Sequence, residues 1–169
     1  MDLQKLLARR VTQIEASGIR KIFDMAATLK DPVDLSIGQP HFDVPEPVKE
    51  AACQAIRAGF NRYTPSGGIP ELKAAVLSQF ERTHGTRPED ALITAGGSGA
   101  LTLSLLALIN PGDEVLLPDP FFVSYKHLTT MCGGTPVFYD TYPEFRIDVA
   151  AVEKLISPRT KVLMVMSPG

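Results

Sequence analysis

The stretch of residues 92–109 reads LITAGGSGALTLSLLALI and constrains the fold more than any other part of the chain. Its first three residues are apolar or β-branched, which predicts a short buried strand. A glycine-rich turn follows at residues 96–99, and residues 100–109 are an almost unbroken run of good helix formers. A strand, a glycine turn and a helix in this order are typical of a layered α/β domain.

The glycine turn also predicts an anion site. Gly96 and Gly97 allow the backbone to come close to a ligand, and the first turn of the helix offers N–H groups at the positive end of its dipole. Ser98 adds a hydroxyl, so a phosphate ester is the expected ligand. The turn lacks the Gly-Lys-Ser/Thr of a nucleotide P-loop, and Thr102 replaces the last small residue of the dinucleotide fingerprint. A tight turn whose glycines serve only packing is an open alternative.

Strands and helices alternate along the rest of the chain. We predict strands at residues 115–117, 136–139 and 161–166, and helices at residues 124–131 and 149–156, the second capped by Asp148. This order predicts an α/β fold with a parallel-rich sheet and helices on both faces. The last strand shows no polar alternation, which predicts that it is fully buried. Ligands of such folds bind at the carboxyl ends of the strands.

The N-terminal part is expected to be helical. A helical face runs through residues 3–14, Ser17 could cap a second helix, and further helices are predicted at residues 46–58 and 70–84. In the last of these, the side chains expected to point inward are Leu72, Ala75, Val76 and Phe80. Because the prolines of residues 39–47 mark a change in composition, we place a boundary near Pro45. It separates an N-terminal arm or small-domain segment, residues 1–45, from a large domain, residues 46–169.

Charge and cysteine content exclude several classes of protein. The net charge of −2 gives no indication of nucleic-acid or anionic-membrane binding, and no signal peptide or membrane span is visible. Cys53 and Cys132 form no paired motif, so we expect free thiols in the reducing cytoplasm. The three histidines lack the spacing of metal ligands, and no metal site is expected.

Six segments together carry a family resemblance. They read LSIGQPHFDVP at residues 35–45, YTPSGGIPEL at 63–72, GGSGAL at 96–101, NPGDEV at 110–115, PFFVSY at 120–125 and SPG at 167–169. In this order they resemble the class I/II aminotransferases, which are pyridoxal-phosphate enzymes of the aspartate aminotransferase fold. The resemblance covers residues 17–169. It implies the front part of the large domain of a fold-type I enzyme, preceded by a helical N-terminal segment and incomplete at its C-terminal end.

The resemblance implies a role for each matched residue. Gly96, Gly97 and Ser98 match the cup that holds the phosphate of pyridoxal 5'-phosphate, in agreement with the anion site above. Phe122 matches the aromatic residue that stacks on the cofactor ring. Tyr63 matches a tyrosine that reaches the cofactor phosphate of the partner subunit, which implies a homodimer. A core phenylalanine and a surface loop tyrosine are the simpler alternatives for the last two.

The substrate is expected to meet residues 37 and 38. Gly38, with Ile37, matches the N-terminal segment that closes over the substrate and donates a backbone N–H to its carboxylate; a plain turn glycine is the alternative. Some bacterial aspartate-type members carry a lysine in place of Ser98, and that lysine helps to bind a side-chain carboxylate. Its absence here favours neutral or aromatic amino acids.

The reaction that the resemblance implies is amino transfer between an amino acid and a 2-oxo acid. In the family, the lysine that forms the Schiff base with the cofactor comes after the position of Gly169, so we assign no catalytic residue in this chain. We therefore expect the front part of a longer enzyme, inactive by itself. A pyridoxal-phosphate carbon–sulfur lyase of the same fold and a non-catalytic binding or dimerisation module remain open.

Overall fold

The computed structural model describes residues 3–14, 18, 22, 25–26, 28–30, 33, 38 and 40–167. By their contacts these residues form two compact units. One comprises Met1–Ser17 with Ala95–Gly169, and the other comprises Gly18–Thr94. This division does not test the predicted boundary near Pro45, which stays a prediction.

The N-terminus is less helical than the sequence pattern predicts. A 3-10 turn covers Leu3–Leu6 and a short helix, α1, covers Arg9–Thr12. The helical face predicted over residues 3–14 is interrupted because the backbone at Ala8 is extended, with φ −65° and ψ 144°. The helix predicted after Ser17 lies mostly outside the described residues.

Helices α2, Glu46–Arg57, and α3, Pro70–His84, confirm two predictions. Each has a proline in its first turn, where the missing N–H would have no helical partner. Gly85 ends α3 in the left-handed conformation, at φ +72°. The predicted inward face of α3 is wrong, however: its side chains are exposed, including Leu72, Val76 and Phe80, because the described residues of this unit do not cover them.

The strand predicted at residues 92–94 is also wrong. The segment is not part of a sheet, and no described strand pairs with it. Ile93 instead donates its N–H to the carbonyl of Gly67 at 3.1 Å. The next helix, α4, covers Gly96–Leu108 and so begins four residues before the predicted start. The glycines therefore form the first turn of the helix rather than a loop before it.

Three parallel strands form the described sheet, in the order β2-β1-β3. They are β1, Glu114–Asp119, β2, Thr135–Asp140, and β3, Thr160–Leu163. The central strand is the buried one, and its residues 115–117 are fully inaccessible. The prediction of a fully buried last strand is wrong: β3 ends at Leu163, which lies at the sheet edge and is 46% exposed.

Helices cover both faces of this sheet, as the sequence predicts. The last two, α5 at Ser124–Met131 and α6 at Val149–Leu155, begin at the predicted residues. Asp148 caps α6 by accepting a hydrogen bond from the N–H of Ala151 at 3.2 Å. Two clusters form the core, one on each face: Leu105, Ile109, Val115 and Leu117 against α4 and α5, and Leu116, Tyr139 and Val152 against α6.

Among the described helices, none combines the length and the apolar character that crossing a lipid bilayer requires.

Candidate functional site

The connection between α4 and β1 determines where the glycine turn lies. Residues 109–113 form a tight turn, closed by a hydrogen bond from the N–H of Asn110 to Asp113 Oδ2 at 2.8 Å. The last turn of α4 packs against β1 through Leu105 and Ile109. The helix therefore runs back along the strand in the opposite direction. Its N-terminus lies toward the carboxyl end of β1, the edge at which α/β sheets bind ligands.

The first turn of α4 is open and fits a phosphate group. A Cβ added at Gly96 or Gly97 would meet no atom within 4 Å, and Gly96 has φ +70°, a conformation that favours glycine. Ala95 precedes the helix and provides no side-chain cap. The first N–H groups of a helix have no partner inside the helix, and they form the positive end of its dipole. Ser98 is exposed in the same turn.

The segment after β1 carries two adjacent phenylalanines with different surroundings. Phe121 stacks on Phe138 of β2, with ring centroids 4.9 Å apart. Phe122 meets Tyr125 edge to face at 5.7 Å and remains 51% exposed. Phe121 thus provides the contact with the sheet, and Phe122 keeps much of its ring free for a ligand at the carboxyl end of β1.

Tyr63 lies in the other unit, on the loop between α2 and α3, and its side chain is fully exposed. The end of this loop is held close to residues 92–93. Gly68 has φ +104°, and a Cβ there would come within 2.3 Å of Ile93 Cγ1. Only glycine fits such an approach, and the hydrogen bond from Ile93 to Gly67 fixes the same contact.

The other residues with a role implied by the resemblance have few described neighbours. Gly38 is exposed, and no atom lies within 4 Å of the position of a Cβ there. Ile37, Pro168 and Gly169 lie outside the described residues. The roles of Gly38, Ile37, Tyr63 and Phe122 therefore stay predictions.

The sequence did not predict a buried tyrosine, Tyr139, near the carboxyl ends of the strands. Tyr139 is 2% exposed, and its hydroxyl donates to the carbonyl of Met164 at 2.6 Å. Burial raises the pKa of this phenol. Next to it, Thr141 Oγ1 donates to the carbonyl of Asp119 at 2.9 Å. These bonds tie together the carboxyl ends of the three strands; the only signal in the sequence was a tyrosine near the end of an apolar strand.

Metal ligands are not grouped in the part of the chain that the structure describes. No three His, Cys, Asp or Glu side chains there are placed to hold an ion.

Comparison with known proteins identifies similar chains. Residues 30–169 match the family model described as aminotransferase class I and II. The chain is 41% identical over 171 residues to the aspartate/prephenate aminotransferase of Thermus thermophilus, covering 96% of this chain and 44% of that protein. It is 36% identical over 168 residues to aromatic-amino-acid aminotransferase 2 of Thermococcus litoralis, covering 96% and 43%.

A solved structure is also similar. The aspartate aminotransferase of Rhizobium meliloti superposes with a TM-score of 0.89 at 35% identity, covering 96% of this chain and 43% of that one. The chain therefore spans less than half the length of the relatives it matches.

Proposed function

Because the chain belongs to the class I and II aminotransferase family, we propose that it is part of a pyridoxal-phosphate-dependent enzyme that transfers an amino group between an amino acid and a 2-oxo acid. The observation that carries this proposal is the exposed first turn of α4, where Gly97 leaves space for an anion beside the Ser98 hydroxyl and no side chain caps the helix.

In this proposal, Gly96, Gly97 and Ser98 bind the cofactor phosphate. A negative group at a helix N-terminus gains about 0.3–1 kcal/mol from the dipole, and each hydrogen bond to a charged group about 1.5–3 kcal/mol. The missing side chains of the glycines let the phosphate reach the N–H groups directly. Ser98 adds a donor that reorients freely.

Phe122 would cover one face of the cofactor ring and exclude water from it. When bound, the cofactor supplies an aromatic ring that accepts the electron pair of the broken Cα–H bond. The N–H of Gly38, beside Ile37, would bind the substrate carboxylate. Tyr63 would donate its phenol to the cofactor phosphate of a partner subunit, so we propose a homodimer.

The substrate class follows from the charge at the first turn of α4. Ser98 brings no cation to this site, which favours neutral or aromatic amino acids over acidic ones. The named relatives include both an aspartate/prephenate and an aromatic-amino-acid aminotransferase. Comparing kcat/KM for phenylalanine and aspartate in the native gene product tests this choice. The two free cysteines support a cytoplasmic location.

Phosphate binding at the turn is tested with pyridoxamine 5'-phosphate, which lacks the aldehyde that reacts with surface lysines. Gly97→Asp places a carboxylate where the phosphate is proposed to bind, and there is space for the side chain. The variant should still fold, because an acidic residue is favourable in the first turn of a helix. We expect its affinity for the ligand to fall at least about tenfold, or about 1.4 kcal/mol.

Gly97→Asn is the matched control, since it has nearly the same size and no charge. Fluorescence titration of the native gene product with pyridoxamine 5'-phosphate and with pyridoxamine measures both affinities. Equal binding of the two ligands, or equal affinity of the Asp and Asn variants, would overturn the proposed phosphate site.

A further inference from the structure

We infer that this chain has a second binding site, for an organic carboxylate with an apolar tail, in the cleft between α1 and the facing surfaces of α4 and α5. The cleft has a volume of about 730 Å³, and no residue of the glycine turn lines it. This volume lies within the range of about 300–1,000 Å³ that is usual for small-molecule sites. All of its walls belong to the unit formed by residues 1–17 and 95–169.

The positive charge of the cleft has no counterpart within the described residues. Arg9 and Arg10 line one wall, and none of the lining residues is acidic. Neither arginine takes part in an ion pair in the described part of the chain. A guanidinium binds a carboxylate through two parallel hydrogen bonds, so this wall is suited to an anionic head group.

Most other donors around the cleft are already engaged. Thr102 Oγ1 donates to the carbonyl of Ser98, and Thr130 Oγ1 donates to that of Lys126. The N–H groups of Gly133 and Gly134 donate to backbone carbonyls of α5. The arginines therefore bind the anion, and the side chains of Gln13 and Thr135, which also line the cleft, can donate further hydrogen bonds.

The remaining lining is apolar, and this determines the rest of the ligand. Leu106 and Met131 are 60% and 44% exposed, and Pro111 and Cys132 also line the cleft. A small inorganic anion would leave this surface in water. A ligand with an aromatic or aliphatic tail would bury it, at a gain of roughly 25 cal/mol per Å² of apolar surface.

Cys132 provides a reporter inside the cleft. Burial raises the pKa of its thiol, and the positive charge of Arg10, which lines the same cleft, acts in the opposite direction. The other cysteine, Cys53, is exposed on α2 and belongs to the other unit. Since thiols react as thiolates, alkylation rates at the two positions give a signal and an internal control in one molecule.

The test measures alkylation of both cysteines of the full chain by iodoacetamide, with peptide mass spectrometry, in the presence of 3-phenylpropionate. A ligand at ten times its Kd leaves about one eleventh of the sites empty. We expect alkylation of Cys132 to slow by about that factor and alkylation of Cys53 to stay unchanged. The neutral 3-phenylpropan-1-ol and inorganic phosphate should protect neither cysteine at the same concentration.

The variant Arg9→Gln with Arg10→Gln should lose the protection of Cys132, while Arg57→Gln, which removes a charge from α2, should keep it. Protection is taken as the ratio of rates with and without ligand for each variant, so the basal pKa of the thiol cancels. Unchanged protection in the double variant would overturn the site. Equal protection by phosphate or by the alcohol would overturn the proposed ligand class.

A measurement on the unmodified sequence makes the test independent of variant folding. Amide NMR shifts induced by 3-phenylpropionate should concentrate at residues 131–135. Shifts concentrated at residues 96–99 instead would place the anion at the glycine turn and would also overturn the inference.

Discussion

Glu114 is a buried carboxylate that links the starts of β1 and β3. It is 5% exposed and accepts hydrogen bonds from Ser157 Oγ at 2.6 Å and Arg159 Nε at 2.8 Å. Its backbone N–H donates to the carbonyl of Arg159 at 2.8 Å. The bond from Ser157, followed by that from Arg159, lowers the pKa of Glu114 below its ordinary value of 4.5. The charged form is thus favoured by folding.

This pKa shift predicts how stability changes with pH. A carboxyl group whose pKa is lower in the folded state stabilises the fold above its unfolded pKa, and the contribution disappears as pH falls through the folded pKa. We expect the free energy of unfolding to decrease as the pH is lowered below about 4.5. The variant Glu114→Gln should be less stable than the parent at pH 7, and its stability should change less between pH 7 and pH 3. Urea unfolding between pH 3 and 7 measures this, with Glu153→Gln on α6 as the control. Parallel pH curves for Glu114→Gln and the parent would contradict the prediction.

The sequence allowed some site residues to be predicted but not their surroundings. The first turn of α4 could be predicted because glycines, a serine and helix formers follow one another locally. The different environments of Phe121 and Phe122 could not, since they depend on contacts with β2 and α5. The buried hydroxyl of Tyr139 depends on the register that pairs Pro118 with Tyr139, and a single strand does not specify its register.

At the scale of elements, β1 holds the described sheet together because both of its faces are covered. Leu117 is fully buried in the cluster against α4 and α5. We expect Leu117→Ala to cost about 2–5 kcal/mol of unfolding free energy, since a buried cavity would form. Leu163→Ala on the exposed edge strand is the matched control and should cost less than about 1 kcal/mol. Urea unfolding of both variants measures these losses of unfolding free energy. Equal losses would contradict the assignment of β1 as the core strand.

The difference between local signals and contacts with distant elements explains which helices and strands the sequence predicted correctly. The helices α5 and α6 and the strands β1 and β2 carry local signals, such as the cap at Asp148. A strand at residues 92–94 and a buried strand at residues 161–166 require partners from elsewhere, and apolar residues alone do not show whether these are present. The helix α4 begins at Gly96, four residues before the predicted start, because glycines are tolerated in the first turn of a helix.

At the scale of the whole molecule, the chain covers 43–44% of relatives such as the aromatic-amino-acid and aspartate/prephenate aminotransferases. The cofactor and substrate contacts that we propose for it include no catalytic base. We therefore expect no transamination by a purified polypeptide of 169 residues, mass-verified, with pyridoxal 5'-phosphate, phenylalanine and 2-oxoglutarate. Formation of glutamate above a control without enzyme would show that this polypeptide is itself a complete catalyst.

The proposed contribution of Tyr63 to a partner subunit predicts a specific pattern of complementation. In a hybrid dimer of native-length subunits, one subunit carries Tyr63→Phe and the other Gly97→Asp. If Tyr63 acts across the interface, the first subunit keeps an intact phosphate cup and receives the hydroxyl from the second. One site in two is then complete, and the hybrid should retain about half of the parent activity, since independent sites contribute additively.

If Tyr63 acts within its own subunit, both sites of the hybrid are defective. One lacks the phenol and the other carries a carboxylate in the cup, so the activity should equal the mean of the two homodimers. Differently tagged subunits allow the hybrid to be isolated and its kcat compared with both homodimers. The full exposure of the Tyr63 side chain, on a loop that Gly68 holds against Ile93, is the property expected of a group directed at a neighbouring molecule. Activity no higher than the mean of the two homodimers would refute the shared site.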